Sequence, residues 1–217
     1  PNDIWTLAGG QQIRGREAYA LASSRATSRG TEMQGELPSA SGETAIVVMG
    51  VCGAGKSLLA NRLADRLGVG MVEADDFHSP ENKRKMAAGK ALTDADRMPW
   101  LDAVSLAAKL QIYCAGGAVI ACSSLKRAYR DRLRAALPSC IFVHLAGERG
   151  LIAERLGGRQ GHFVGETLLD SQLATLEPLQ VGEAGFSLDI SRPVDELVEK
   201  AMKELRPARP PRTTIAS

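Results

Sequence analysis

The sequence predicts an α/β protein in which helices cover both faces of a parallel β-sheet. Short, unbroken apolar runs alternate along the chain with longer stretches of helical periodicity. Runs that are apolar along their whole length are typical of strands buried on both faces of a parallel sheet. With 217 residues, 44% of them hydrophobic and 24% charged, the chain is large enough for one domain with a sizeable core.

The predicted strands follow one another in order at five places, and helices lie between them. The first helix has Leu59, Leu63 and Leu67 at four-residue spacing and Gly68 as its C-terminal stop. Ser79 followed by Pro80 indicates the cap and first residue of the second helix. The strands are predicted at 45–49, 71–74, 118–122, 141–145 and 186–190, and the later helices at 100–113, 125–137, 151–156 and 193–205.

The two ends of the chain differ from this regular region. Residues 1–43 contain six scattered glycines and few large apolar residues, which predicts a poorly ordered extension. The domain is predicted at 44–206, and the proline-containing segment 207–217 is predicted to be a flexible tail. Arg14–Arg29 is similar in composition to an organelle transit peptide, although Glu17 is unusual for one, so organelle targeting stays open.

Composition narrows the compartment and the partners. A net charge of +2 gives no reason to expect nucleic acid or an anionic membrane as a partner. No apolar run approaches the ~20 residues that a bilayer-spanning helix needs. The cysteines show no C-x-x-C pairing, which favours free thiols in a reducing compartment, with the cytoplasm as the default. They are Cys52, Cys114, Cys122 and Cys140.

A phosphate-binding loop joins the first strand to the first helix. The pattern is G-x-x-x-x-G-K-[ST], and a strand before it and a helix after it provide the context that the motif requires. Its glycines allow backbone N–H groups to face the phosphates of a nucleotide, Lys56 contacts the β- and γ-phosphates, and the Ser57 hydroxyl is the expected Mg²⁺ ligand. The loop consists of Gly50, Val51, Cys52, Gly53, Ala54, Gly55, Lys56 and Ser57.

Two other classes of nucleotide-binding protein fit the sequence poorly. A GTPase needs a guanine-binding Asn-Lys-x-Asp motif after a central strand, whereas Asn82–Lys85 lacks the Asp and comes too early. A motor or pump ATPase needs an acidic residue at the end of a hydrophobic strand. The third strand ends instead in Cys122–Ser124.

A carboxylate pair follows the second predicted strand. Because ligands of open parallel sheets bind at the carboxyl ends of the strands, Asp75 and Asp76 are expected near the phosphate loop. A carboxylate there can accept the proton of an attacking hydroxyl, as a small-molecule kinase requires. Alone, the pair is equally compatible with a turn or a helix cap.

The region from about residue 45 to 205 closely resembles the gluconokinase family. The blocks that carry the resemblance occur in the family's order and are not shared by shikimate or adenylate kinases. They are Asp75-Asp76-Phe77-His78-Ser79-Pro80-Glu81-Asn82-Lys83, Lys85-Met86, Gly89, Leu92-Thr93-Asp94, Asp96-Arg97, Pro99-Trp100-Leu101, Ala121-Cys122-Ser123-Ser124-Leu125-Lys126, Tyr129-Arg130-Asp131, Gly161-His162-Phe163, Ser171-Gln172-Leu173 and Thr175-Leu176-Glu177-Pro178.

The resemblance implies a P-loop kinase of the nucleoside-monophosphate-kinase type, with a lid at about 157–170. It implies transfer of the ATP γ-phosphate to the 6-hydroxyl of D-gluconate, with Mg²⁺ as cofactor, and a homodimer as a frequent state. The alternatives are a related kinase of another sugar acid or a shikimate-like substrate, and an ATP-binding protein without catalysis. Where family members commonly have Met-Pro after Gly-His-Phe, this chain has Val164-Gly165, which predicts a looser lid.

Candidate site residues follow from the resemblance and from the chemistry of a polyhydroxylated carboxylate. Asp75 is the expected base, and Asp76 or His78 would orient substrate hydroxyls. Cations are expected at the substrate carboxylate or the transferred phosphoryl group, since Arg offers a bidentate fork and Lys a point charge. The expected substrate cations are Arg97, Lys126 and Arg130, and the expected lid residues are Arg155, Arg159 and His162.

Overall fold

The computed structural model describes residues 4–6, 12–14, 44–137, 139–157 and 162–205. Its centre is a five-stranded sheet in which every neighbouring pair of strands is parallel, in the order β4-β5-β3-β6-β7. The strands are β3 (Thr44–Met49), β4 (Gly70–Glu73), β5 (Gly117–Ala121), β6 (Cys140–Ala146) and β7 (Gly185–Asp189). Two short strands, β1 (Ile4–Thr6) and β2 (Gln12–Arg14), form a separate antiparallel pair that was not predicted.

Helices cover both faces of this sheet, which confirms the predicted α/β/α fold. One core lies between the sheet and the helices that begin at Lys56, Arg149, His162 and Val194, and the second lies between the sheet and the helices that begin at Asp94 and Arg127. A single 3₁₀ turn, Ala74–Phe77, follows β4. The helices are α1 (Lys56–Leu67), α2 (Pro80–Ala87), α3 (Asp94–Ala115), α4 (Arg127–Ala136), α5 (Arg149–Gly157), α6 (His162–Thr175) and α7 (Val194–Leu205).

Helix α3 begins six residues earlier than predicted. The prediction placed its start at Trp100, whereas the structure includes Pro99 inside the helix. In the structure a capping box at Thr93 starts the helix: the Thr93 hydroxyl accepts a hydrogen bond from Asp96 N, and the Asp96 carboxylate accepts one from Thr93 N. The extra turn carries Asp94 and Arg97.

Helix α6 occupies much of the segment that was expected to be a lid. Its first residue is His162, and residues 158–161 lie outside the described part of the chain. The lid boundaries therefore stay a prediction. Most of the predicted extension, and the tail from residue 206, also lie outside the described residues.

The sheet order brings the candidate residues to one edge. Central strand β3 lies between β5 and β6, and Gly50 N, just after β3, donates to Ser123 O, just after β5, at 3.3 Å. The turn that carries Asp75 follows the neighbouring strand β4 at the same edge. None of the helices in the described ranges is long and apolar enough to cross a membrane.

Candidate active site

The phosphate loop leads directly from β3 into the N-terminus of α1. Gly50, Gly53 and Gly55 have φ angles of 142°, 78° and 96°, which side chains rarely tolerate. At Gly53 an added Cβ would also lie 2.6 Å from Leu156 Cγ, so glycine there lets α5 pack against the loop. Gly55 caps α1 without a side-chain hydrogen bond, leaving the first N–H groups of the helix for an anion.

Lys56 lies folded back over its own loop. Its ammonium donates to the Val51 carbonyl at 3.0 Å. Burial lowers the pKa of Lys56 below its usual range, and the nearby Asp75 carboxylate is the largest opposing influence. The structure thus places the loop cation and the candidate base after strands of the same parallel sheet, at its carboxyl edge.

The two candidate carboxylates lie in the 3₁₀ turn after β4. The Asp75 side chain is 79% exposed, so its carboxylate is open to a ligand, and it lies 3.9 Å from His78 Nε2. Asp76 is also exposed, and its backbone carbonyl accepts a hydrogen bond from Lys83 Nζ at 3.3 Å. The turn is therefore attached to α2 while both carboxylates remain accessible.

His78 is buried beneath this turn and packs on Trp100, which is hydrogen-bonded to the turn. Its ring stacks on Trp100 at 4.3 Å between centroids and 12° between planes, and Trp100 Nε1 donates to Ala74 O at 2.7 Å. Burial lowers the pKa of His78, so the ring is neutral at physiological pH. Its Nδ1 atom has no hydrogen-bond partner among the described residues. Only 4% of the side chain is exposed, which limits its reach toward a substrate.

A group of charged and aromatic side chains forms between the start of α3 and the start of α4. Lys126 Nζ donates to both oxygens of Asp94, at 2.8 and 3.0 Å, and the Tyr129 hydroxyl donates to Asp94 Oδ1 at 2.5 Å. These bonds, with the one from Lys126 as the larger cause, lower the pKa of Asp94. Arg97 and Lys126 both lie over the Tyr129 ring, at 5.7 and 5.6 Å from its centroid.

Arg97 differs from Lys126 in having its donors available. Within the described residues the Arg97 guanidinium makes no side-chain hydrogen bond or ion pair, although the side chain is only partly exposed. Asp94 and Tyr129 were not predicted as site residues. Both belong to blocks of the family resemblance.

The structure does not bring Arg130 to the site. The residue is completely buried, and its guanidinium forms a two-bond ion pair with Glu183, at 2.7 and 2.9 Å. Its remaining donors are taken by backbone carbonyls, so none is left for a substrate. The acceptors are the carbonyl oxygens of Ser124, Leu125, Glu177 and Pro178. The substrate role expected for Arg130 is therefore corrected to a structural one.

The expected lid residues are only partly described. Arg155, at the end of α5, donates to the Ile190 carbonyl at 2.6 Å. Arg159 and the side chain of His162 lie outside the described residues, so their roles stay predictions.

No protein-family model matches this chain. Its family is shown instead by its similarity to known proteins. A gluconokinase from Gluconobacter oxydans is 48% identical over 132 residues, which cover 61% of this chain and 74% of that protein. A probable gluconokinase from Xenopus tropicalis is 38% identical over 175 residues, with 74% of this chain and 92% of that protein covered.

The chain belongs to the gluconokinase family. The crystal structure of a gluconokinase from Sinorhizobium meliloti superimposes with a TM-score of 0.68 at 41% identity, covering 75% of this chain and 91% of that one. The resemblance of the sequence to the gluconokinase family is thereby confirmed, together with the P-loop kinase fold.

Proposed function

We propose that this chain is an ATP-dependent kinase that transfers the γ-phosphoryl group to the 6-hydroxyl of D-gluconate, giving 6-phosphogluconate and ADP. The observation that carries the proposal is the position of Lys56 and Asp75 at the carboxyl edge of one sheet, after β3 and β4. Lys56 is the residue of this motif that binds the nucleotide phosphates, and Asp75 is an exposed carboxylate able to accept a proton. Membership of the gluconokinase family is the reason for proposing gluconate as the substrate.

Each end of the reaction has its own residues. Asp75 accepts the proton of the attacking hydroxyl, and Lys56 leaves the Val51 carbonyl to neutralise charge on the transferred phosphoryl group. Asp76 is exposed beside Asp75 and can accept hydrogen bonds from substrate hydroxyls. Asp75 and Asp76 thus form the sugar side of the site, and the stacked pair of His78 and Trp100 supports the turn that carries them.

The substrate carboxylate is assigned to Arg97. Asp94 neutralises Lys126, so this group of residues keeps one uncompensated positive charge, on Arg97. Gluconate carries one negative charge, and a guanidinium can bind a carboxylate with two parallel hydrogen bonds. A neutral sugar would leave that charge without a partner.

Magnesium would be held by Ser57 together with water and the nucleotide phosphates, where it would neutralise phosphate charge. The Ser57 side chain is exposed in the first turn of α1 and offers the hard oxygen ligand that Mg²⁺ prefers. No group of three or more acidic, His or Cys side chains suited to a metal exists among the described residues, which agrees with an ion bound mainly by water and phosphate. The lid roles of Arg155, Arg159 and His162, the homodimer and the cytoplasmic location stay predictions.

A coupled assay for ADP tests the proposal. We expect turnover with D-gluconate and Mg²⁺-ATP, slower turnover with aldonates of other length or configuration, and none with glucose or shikimate. Faster turnover of another sugar acid would assign the chain to that substrate. ATP binding without turnover on any aldonate would contradict the kinase function itself.

A further inference from the structure

The last turn of α6 and the connection that follows it contact both halves of the site. At one end, Gln172 accepts a hydrogen bond from the phosphate loop, and at the other, Glu177 accepts one from the N-terminus of α4. Both residues belong to sequence blocks that the family resemblance marked without giving them a role. We propose that Gln172 and Glu177 are positioning residues for phosphoryl transfer, Gln172 for the nucleotide side and Glu177 for the gluconate side. The proposal rests on the proposed function.

Gln172 fixes the phosphate loop from outside. The backbone N–H of Cys52 donates to Gln172 Oε1 at 2.6 Å, although the two residues are 120 positions apart. Cys52 lies directly before Gly53, where the loop bends with positive φ, and a loop with three such glycines has a large conformational entropy when free. A hydrogen bond at this point favours the conformation in which the following N–H groups face the phosphates.

Glu177 acts as a distant cap of α4. Lys126, the cap residue of that helix, makes no side-chain cap hydrogen bond. Instead Arg127 N donates to Glu177 Oε2 at 2.5 Å, and Glu177 N donates to Leu125 O at 2.8 Å. A carboxylate at a helix N-terminus is favoured by the helix dipole. The turn that Glu177 holds carries Lys126 and Tyr129, which together bind Asp94.

The segment between these contacts is firmly packed. Leu173 packs against the core on one face of the sheet, and Leu176 packs against the cores on both faces. Because the segment is anchored on both sides, it keeps the phosphate loop and the start of α4 at a fixed separation. That separation determines how closely the phosphoryl donor and acceptor approach each other.

Gln172→Met tests the nucleotide side, since Met has a similar size and cannot accept the Cys52 hydrogen bond. We expect ATP affinity, measured by calorimetry without gluconate, to fall about three- to tenfold, the usual effect of one hydrogen bond. The KM for gluconate should stay within about twofold. The matched control is Asp170→Asn, which removes an exposed contact of the same helix and should change neither value.

Glu177→Ala tests the gluconate side and should raise the KM for gluconate about three- to tenfold while ATP affinity stays unchanged. Glu177→Gln keeps an oxygen that can accept the Arg127 N–H and should restore most of the loss. Gln180→Ala is the matched control, because the Gln180 side chain accepts a hydrogen bond from the Arg127 side chain, and the backbone contacts of Gln180 with Glu183 are kept in the variant.

The opposite patterns overturn the proposal. Tighter ATP binding by Gln172→Met would mean that Gln172 competes with the nucleotide. Equal changes on both substrates, accompanied by a lower melting temperature, would indicate a merely structural role. If the unaltered chain binds ATP but does not phosphorylate gluconate, the proposed function fails, whereas the calorimetric result for Gln172 still stands or falls by itself.

Discussion

Lys126 and Asp94 form an ion pair with two hydrogen bonds, at 2.8 and 3.0 Å, that joins the start of α4 to the start of α3. This pair removes one of two adjacent cations from the set available to a substrate. Arg97 keeps its guanidinium donors free among the described residues and lies over the Tyr129 ring, which limits its movement without neutralising it. The two cations therefore have different expected roles.

Arg97→Gln should raise the KM for gluconate by roughly ten- to a hundredfold, as expected for loss of hydrogen bonds to a charged group. Lys126→Met should raise it less, because Lys126 acts through Asp94. Steady-state kinetics at saturating ATP measure both, and Arg84→Gln, at an exposed position on α2, is the control. A larger effect at Lys126 than at Arg97 would reverse the assignment.

Lys56→Met should lower kcat by on the order of a hundredfold or more, because a cation that stabilises the transferred phosphoryl group is lost. The measurement is ADP release at saturating gluconate and ATP. Lys109→Met, exposed on α3, controls for the loss of a surface charge. A normal kcat with only a raised KM for ATP would restrict Lys56 to ground-state binding.

Asp75→Asn should lower kcat by on the order of a hundredfold or more, because an amide cannot accept the hydroxyl proton. ATP affinity should change little, and calorimetry can verify this independently of turnover. Asp65→Asn, on the exposed face of α1, is the matched control. A rate close to that of the unaltered chain would exclude Asp75 as the base.

Arg130→Met should lower the free energy of unfolding by about 3–5 kcal/mol, because the buried Glu183 carboxylate loses both hydrogen bonds from Arg130 and keeps only the more distant Arg127, at 3.8 Å. Chemical denaturation measures the change. The double variant Arg130→Met, Glu183→Leu should regain part of this loss. Should Arg130→Met instead leave stability intact and raise the KM for gluconate, the substrate role would have to be restored.

The same ion pair predicts an acid-sensitive contribution to stability. The hydrogen bond from Arg130 is the main reason why the pKa of Glu183 lies below its ordinary value of 4.5. The unfolded state therefore takes up the proton first, so the contribution is complete above about pH 4.5 and is lost as the pH falls through the native pKa. The difference in unfolding free energy between the unaltered chain and Glu183→Gln should narrow below pH 4.5. A constant difference down to pH 3 would contradict this.

The sequence was sufficient for the features that depend on local patterns. The apolar runs predicted the five sheet strands, and the glycine-rich motif predicted the loop between β3 and α1, because both are determined by neighbouring residues. The direction in which a side chain points, by contrast, is not determined by such local patterns. Arg130 and Lys126 lie one turn apart on a helix rich in cations, yet Arg130 alone points inward, toward a Glu183 that is 53 residues away.

Contacts over long distances in sequence explain the other omissions. Gln172 meets the phosphate loop 120 residues from its own position, and Glu177 meets α4 at a separation of 50 residues. No periodicity indicates such a contact. The early start of α3 could have been found, because Thr93 and Asp96 have the spacing of a capping box.

The Thr93 capping box has an evolutionary consequence. It creates the first turn of α3, and that turn holds both Asp94 and the Arg97 to which we assign the acid group of the substrate. Selectivity for sugar acids therefore depends on the residue at which a helix begins as well as on the side chains that touch the ligand. A descendant that lost the Thr93 hydroxyl could change its substrate range while every residue of the binding surface stayed the same.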